Sequence, residues 1–295
     1  MQIETAYHDA VQQLQETYSL RSEAAAAVRL VLDHITGDSY AHLKHPQKVL
    51  LPAQQQHFET CLDQLLDGQP APYVTGKREF YGRSFICDQR ALIPRPESEL
   101  LVEAAIGQFK DHAKVLLADL GCGSGCISVS VASELPQAHF IATDISADAL
   151  ALAHENAVKH GVADRIQFVQ GAAGDWKGPL QKVLLDGSRL DGILTNPPYL
   201  PALKRRNVQK SVRDHEPDVA LFGGQDGLDE HRRLAEQCLA VLQPEGYLWA
   251  EFGDGQYDAI RDIYQSAGWQ SCSVVLDLAG IERMLCARRV ISAES

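Results

Sequence analysis

Apolar positions recur along this chain with two different periods, and the change from one to the other divides it. In the first part they recur at helical spacing. Ala24, Val28, Val31, Leu32 and Ile35 follow Ser22-Glu23 and stop at Gly37, the pattern of an amphipathic helix with a start signal and a glycine end. A second helix begins near Pro52, turns Phe58, Leu62, Leu65 and Leu66 to one face and ends at Gly68. With an earlier stretch carrying Val11, Leu14 and Tyr18, these predict a small helical bundle. Gln69-Pro70-Ala71-Pro72 then looks like a linker, and Phe80 to Ile86, with Gly82 near its middle, like a β-hairpin. The expected domains are a helical one over 1–75, a hairpin linker over 76–95 and a larger domain over 96–295.

From residue 115 onward short apolar runs take over, at 115–120, 139–143, 165–170, 190–195, 247–251, 270–276 and 284–288. Helical patterns separate most of them, such as Ile127, Val131 and Leu135, or 149–160 closed by Gly161. Strands alternating with helices predict an α/β fold with a doubly wound, mostly parallel, seven-stranded sheet. The connection between the last two strands is too short for a parallel crossover, so that pair should be antiparallel. Pro96, followed by Glu97 and Glu99, marks a further helix start and holds Arg95 at its N-terminus.

Composition narrows the class. The 295 residues, 45% hydrophobic and 22% charged, are those of an ordinary globular protein. A formal charge of −12 argues against direct DNA binding through phosphate neutralisation. The basic cluster Lys204-Arg205-Arg206 with Lys210 and Arg213 is either a solvated face or a docking patch for an acidic or RNA-bound partner. Seven cysteines, without a Cys-x-x-Cys pair, suggest reduced thiols in a cytosol, and the isolated spacing of Cys122 and Cys126 gives no metal site. The residues after Met1 form no signal or transit segment, and no run reaches the ~18 to 20 apolar residues of a membrane span. A cytoplasmic protein without a membrane association is expected.

Four strand ends carry candidate chemistry. Asp119-Leu120-Gly121-Cys122-Gly123-Ser124-Gly125 follows the first strand of the sheet and opens a helix. Its glycines allow close backbone approach to a ligand, while the Gly-x-Gly-x-Gly spacing disfavours a dinucleotide; an incidental turn is the alternative. Asp144 ends the next strand, where a carboxylate accepts from both hydroxyls of a ribose or simply caps the following helix, a task Ser146 could take instead. Trp176, after Asp175, would cover an adenine face or be a half-buried surface residue. Asn196-Pro197-Pro198-Tyr199 ends the fourth strand: two prolines stop pairing and make a stiff loop that presents an amide and a ring, suited to gripping an NH2 group or merely turning the chain.

A glycine loop, a ribose acid and an Asn-Pro-Pro-Tyr loop on successive strands resemble the class I S-adenosylmethionine-dependent methyltransferases that act on planar NH2 groups. Tyr73-Val74-Thr75-Gly76, Phe80-Tyr81-Gly82, Leu92 to Glu99, Asp119 to Gly125, Asn196 to Tyr199, His215-Glu216-Pro217, Gly224 with Asp226-Gly227-Leu228, and Asp277 with Gly280 and Arg283 resemble the release factor glutamine methyltransferases, the HemK/PrmC family, from about residue 20 onward. Ser98 stands where that family usually has Thr, His215 where Tyr is frequent, and Cys122 in a slot often held by Thr.

The resemblance implies transfer of a methyl group from S-adenosyl-L-methionine, leaving S-adenosyl-L-homocysteine, to the N5 amide nitrogen of the glutamine in the Gly-Gly-Gln motif of class I peptide chain release factors. It implies a helical N-terminal domain that helps recognise the release factor. A monomer is expected. Carried onto this chain, Asp119, Gly121, Cys122, Gly123, Ser124, Gly125, Asp144, Trp176 and Asn196 would bind the cofactor. Asn196, Pro197, Pro198, Tyr199 and Arg95 would meet the substrate. Catalysis would fall to the Asn196 side-chain oxygen and the Pro197 carbonyl as acceptors of the substrate amide hydrogens, with Pro198 and Tyr199 walling the pocket. Arg95 and Glu97 have a structural alternative as a helix-start ion pair. Rival readings are a ribosomal protein glutamine as acceptor, an N6-adenine nucleic-acid methyltransferase, and a non-catalytic cofactor-binding scaffold. Gly223-Gly224-Gln225 spells the substrate motif within this chain and is expected to be a coincidental glycine turn.

Overall fold

The computed structural model describes residues 1–18, 20–184 and 187–290, so that 291–295, assigned above to the larger domain, lie outside the described residues. The chain forms two compact units, one of Met1–Lys77, Cys87–Gln89 and Val208–Glu216, the other of Arg78–Ile86, Arg90–Asn207 and Pro217–Ser295.

The first unit is helical: α1 Ile3–Gln13, α2 Arg21–Thr36, α3 Ala41–Lys44, α4 Pro52–Leu66 and α5 Ala71–Thr75. α2 starts where the Glu23 carboxylate accepts the Leu20 N–H at 3.3 Å and ends at Gly37, whose φ of 70° closes it. Pro52 opens α4. Ile3, Leu14, Val28, Leu32, Phe58 and Leu65 share one buried core. The stretch expected to be a linker is instead the start of α5, with Pro70 at its N-cap, Pro72 in its first turn and Ala71 buried. Proline is tolerated in a first helical turn because its missing N–H would have no partner there.

In the second unit a two-residue turn joins two short strands, β1 Lys77–Phe80 (its first residue in the helical unit) and β2 Arg83–Ile86. Tyr81 and Gly82 both adopt positive φ, 48° and 67°, as a hairpin of matching twist requires. Helix α6 Glu99–Phe109 follows a short 3-10 turn, Pro96–Ser98. Then come β3 Val115–Leu120, α7 Cys126–Glu134, β4 Ala138–Asp144, α8 Ala147–Lys159, β5 Ile166–Gln170, α9 Lys177–Val183 and β6 Leu190–Thr195. Helix α10 Lys210–His215 belongs to the helical unit, where the Gln209 side chain lies 3.4 Å from the Glu23 carboxylate. Helix α11 Asp229–Cys238, β7 Leu242–Glu251, α12 Tyr257–Ser266, β8 Ser271–Leu276 and β9 Glu282–Arg288 complete the chain.

The sheet has the order β5-β4-β3-β6-β7-β9-β8; β9 runs antiparallel to both its neighbours, and the pairs from β5 to β7 are parallel. β7 starts five residues earlier than its apolar run at 247, because Pro244 and Gly246 hide a strand with a register shift in which Glu245 takes φ 66°. Alternate residues of the central strands feed two cores. Leu117, Leu194 and Trp249 pack under α6 and α7, while Ala118, Ile193, Leu248 and Ala250 pack under α11 and α12. Strands buried on both faces need continuous apolar runs, which is why these were conspicuous. Strand order reverses between β3 and β6, and the crevice beyond their carboxyl ends is where open α/β sheets take ligands.

Candidate active site

A cavity of about 240 Å³ occupies that crevice. Its floor is the loop after β3. Gly121, Gly123 and Gly125 take φ of 70°, 53° and 76°, values that a Cβ would strain. The Gly121 and Cys122 N–H groups donate to the Thr143 carbonyl at 2.8 and 2.9 Å, and Gly123 N–H donates to Asp144 Oδ2 at 2.9 Å, so the loop is pinned to the end of β4. A side chain at Gly125 would press on Ala153 of α8. Gly121, Cys122, Gly123 and Ser124 line the cavity; Asp119 and Gly125 do not. Asp119 lies fully buried behind the loop, where its Oδ2 accepts the Ser128 N–H of α7 at 3.1 Å and Oδ1 has no partner among the described residues. Burial pushes its pKa up to about 6.

Asp144 stands at the cavity edge. Ser146 caps α8, its hydroxyl accepting Ala149 N–H at 3.1 Å, so the cap is not the task of Asp144. Each carboxylate oxygen of Asp144 accepts one backbone N–H, from Ser146 at 2.9 Å and from Gly123, and keeps a lone pair for a further donor. Burial raises its pKa, against the hydrogen bonds from the backbone amides. Trp176 also lines the cavity, its ring facing Gly121 and its Nε1–H donating to Glu230 at 2.9 Å. A carboxylate with spare lone pairs, an indole face and a glycine floor fit a nucleoside: hydroxyl donors at one side, a flat base against the ring, no side chain between.

The opposite wall comes from the loop after β6. Asn196 and Pro198 line the cavity together with Arg95 and Ser98, whereas Pro197 is buried behind it and Tyr199 turns away. The Tyr199 hydroxyl donates to Glu251 Oε1 at 3.2 Å; burial, and after it the neighbouring Glu251 carboxylate, drives its pKa upward. Asn196 Nδ2 donates to Ser98 Oγ at 2.9 Å, and Ser98 Oγ donates to Glu251 Oε2 at 2.5 Å. Asn196 Oδ1 has no hydrogen-bond partner among the described residues. The loop backbone is equally held: Gln256 donates to the Tyr199 carbonyl at 3.1 Å, and Leu200 exchanges hydrogen bonds with Leu221 and Gly223 at 2.9 and 3.1 Å. A Cβ at Gly223 would collide with the Pro198 carbonyl oxygen, and one at Gly227 with that of Tyr199. The first residue of the internal Gly-Gly-Gln is thus a loop-packing position, the second takes φ 91° beside the Asp229 side chain, and Gln225 is exposed.

Sequence reasoning missed three supports of this wall, Glu251, Gly227 in its packing role and Gln256. Glu251 carried a signal, since, like Asp144, it is an acid closing an apolar strand. No metal-binding group of His, Cys, Asp or Glu occurs among the described residues, nor a helix long and apolar enough to cross a membrane.

Residues 5–76 match the family model of the PrmC N-terminal domain and residues 96–214 that of the methyltransferase small domain. The release factor glutamine methyltransferase of Cereibacter sphaeroides is 40% identical over 90% of this chain and 91% of its own length. That of Koribacter versatilis is 33% identical over 99% of this chain and 100% of its own. Among solved structures, the hMettl16 catalytic domain in complex with an RNA hairpin superimposes with a TM-score of 0.57 at 15% identity, over 85% of this chain and 88% of that one, a likeness of fold. The chain belongs to the release factor glutamine methyltransferase family and has the class I methyltransferase fold.

Proposed function

We propose that this protein methylates the N5 amide nitrogen of the glutamine in the Gly-Gly-Gln motif of peptide chain release factors. Family membership supports the acceptor. The observation that carries the chemistry is the Asn196 amide, a residue of the cavity wall whose NH2 is committed to Ser98 while Oδ1, without a partner among the described residues, is left to accept. An incoming NH2 group needs acceptors, and this wall supplies one.

S-adenosylmethionine, when bound, supplies an electrophilic methyl group. The residues that would hold it are Gly121 to Ser124 under its body, Asp144 at the ribose hydroxyls and Trp176 against the base. Asp119 and Gly125 serve by fixing the loop from behind.

The lone pair of an amide nitrogen is delocalised, and no side chain is basic enough to deprotonate it outright, so positioning dominates over acid–base catalysis. Asn196 Oδ1 accepts one of its hydrogens, which draws electron density onto nitrogen and aims it across the cavity; the Pro197 carbonyl, behind the cavity wall in the free protein, would have to turn inward to accept the other. Pro198 excludes water there, and Tyr199 stiffens the loop through Glu251. Arg95, at the cavity wall, meets the polar backbone around the acceptor glutamine. The helical unit, which includes residues 208–216, provides the surface that recognises the release factor.

Incubating the protein with labelled cofactor and, separately, a release factor, ribosomal proteins and DNA decides among acceptors. Label on the Gly-Gly-Gln glutamine, located by mass spectrometry, is the expected result. Label on a ribosomal protein or on adenine, with the release factor untouched, would overturn this reading.

A further inference from the structure

An asparagine amide has two nearly isosteric ends, and the chemistry proposed above needs one of them. Turned over, Asn196 would point NH2 at another NH2 and repel the substrate. Its setting must therefore specify the orientation. β6 and β7 are parallel neighbours with Thr195 opposite Ala250, so the next residue on each, Asn196 and Glu251, emerge side by side at the sheet's edge. Ser98, in the turn before α6, lies between them: Asn196 Nδ2 to Ser98 Oγ is 2.9 Å and Ser98 Oγ to Glu251 Oε2 is 2.5 Å. Ser98 and Glu251 are both 2% exposed.

We propose that Glu251 and Ser98 are positioning residues that set the polarity of the Asn196 amide. An ionised carboxylate has no hydrogen to give. It takes the Ser98 hydroxyl proton, leaving Ser98 Oγ with lone pairs only, and an oxygen offering lone pairs selects the NH2 end of Asn196. Oδ1 is thereby turned to the cavity. The Tyr199 hydroxyl, donating to the other oxygen of Glu251, holds the carboxylate in place. Protonation of Glu251 reverses the logic: the acid donates to Ser98, whose own proton is released to donate to Asn196 Oδ1, and the flipped amide is no longer excluded.

This makes orientation depend on pH. Burial pushes the Glu251 pKa up to about 7, against the hydrogen bonds from Ser98 and Tyr199. Glu97 raises it further and Arg283, itself paired with Asp277 at 3.0 Å, lowers it. His231 of α11, against the Glu251 backbone, is kept neutral by burial, with its pKa down at about 3, and does not change charge in this range. The orienting, ionised form prevails as pH rises through about 7.

The inference rests on the glutamine reading for its catalytic consequence, and its structural content is measurable without a substrate. In the free protein, the side-chain amide resonances of Asn196, assigned by their loss in Asn196→Asp, are expected to shift with pH around 7. The shift should vanish in Glu251→Gln and in Ser98→Ala. With release factor as acceptor, Ser98→Ala should lower kcat about 10-fold or more, with cofactor Kd within about twofold, and Ser98→Thr, which keeps the hydroxyl, should restore kcat to within about threefold. The rise of kcat through pH 7 should flatten in Glu251→Gln. An amide signal in the wild type that ignores pH across this range would overturn the proposal, as would full turnover in Ser98→Ala. A wild type that never labels a release factor counts against the glutamine reading, and the amide titration still decides the orientation.

Discussion

The loop after β3 and the loop after β6 flank the same crevice and are held in opposite ways. The glycine loop draws on near neighbours: its shape comes from three left-handed glycines, and its anchors are the end of the adjacent strand, the helix it opens, and α8, where Asn156 donates to the Ser124 carbonyl at 3.0 Å. The Asn-Pro-Pro-Tyr loop, although stiffened by its prolines, takes its working geometry from far along the chain, from Ser98, the Gly223 and Gly227 backbone, Glu251 and Gln256. A loop that must present backbone to a ligand can be written in a few consecutive residues. A loop that must present one end of one amide needs partners from several elements, since only a fixed hydrogen-bond network distinguishes the two ends.

The two loops serve separate functions, and single substitutions should affect one without the other. Asn196→Ala removes the acceptor itself, so release factor methylation should fall about 100-fold or more while cofactor affinity stays within about twofold, measured by label transfer and calorimetry on protein shown to be folded. A large loss of cofactor binding there would merge the two loops into one unit. Gly227→Ala forces the Tyr199 carbonyl aside; turnover should drop about 30-fold, again with the cofactor side spared. Asp144→Ala strikes the other loop and predicts the converse, a cofactor Kd about 10-fold higher with saturating turnover within about threefold, read from an initial-rate matrix. An unchanged Kd would reduce Asp144 to a brace for Gly123.

The smallest effect is on stability. The pKa of Glu251 is raised in the folded state, so the native protein binds its proton more tightly than the unfolded chain does. Glu251 therefore costs nothing below its unfolded pKa of about 4.5, and destabilises progressively as pH rises through about 7. Relative to Glu251→Gln, the wild type should lose about 1 kcal/mol between pH 6 and pH 8 in urea unfolding. A difference that stays flat, or that grows in the other direction, would place Glu251 outside the buried network.

Most of the sheet was legible. The runs at 115–120 and 190–195 coincide with β3 and β6, because strands buried on both faces are mostly apolar, with Asp119 and Thr195 the buried polar exceptions near their ends. The start of β7 was not, since a bulge with Pro244 and Gly246 breaks the apolar pattern while the ladder continues. Nor was α5, because Gln69 to Pro72 has a linker's composition and only burial of Ala71 against the helical core shows what its prolines do. In the site, Gly121, Gly123, Asp144, Trp176, Asn196 and Pro198 reach the cavity as their motifs suggest, while Asp119, Gly125, Pro197 and Tyr199 stand behind it. A motif records which residues must be present together and not which of them face the ligand.

By itself the sequence determined the class of fold, the four strand-end segments and the kind of group they serve, because periodicity, glycines and prolines act on the backbone locally. The tertiary structure alone decided which way Asn196 points and what holds it. That depends on a serine, a glutamate and a tyrosine brought within hydrogen-bonding distance by strand register and helix packing, and no local pattern encodes a contact between residues 98, 196 and 251.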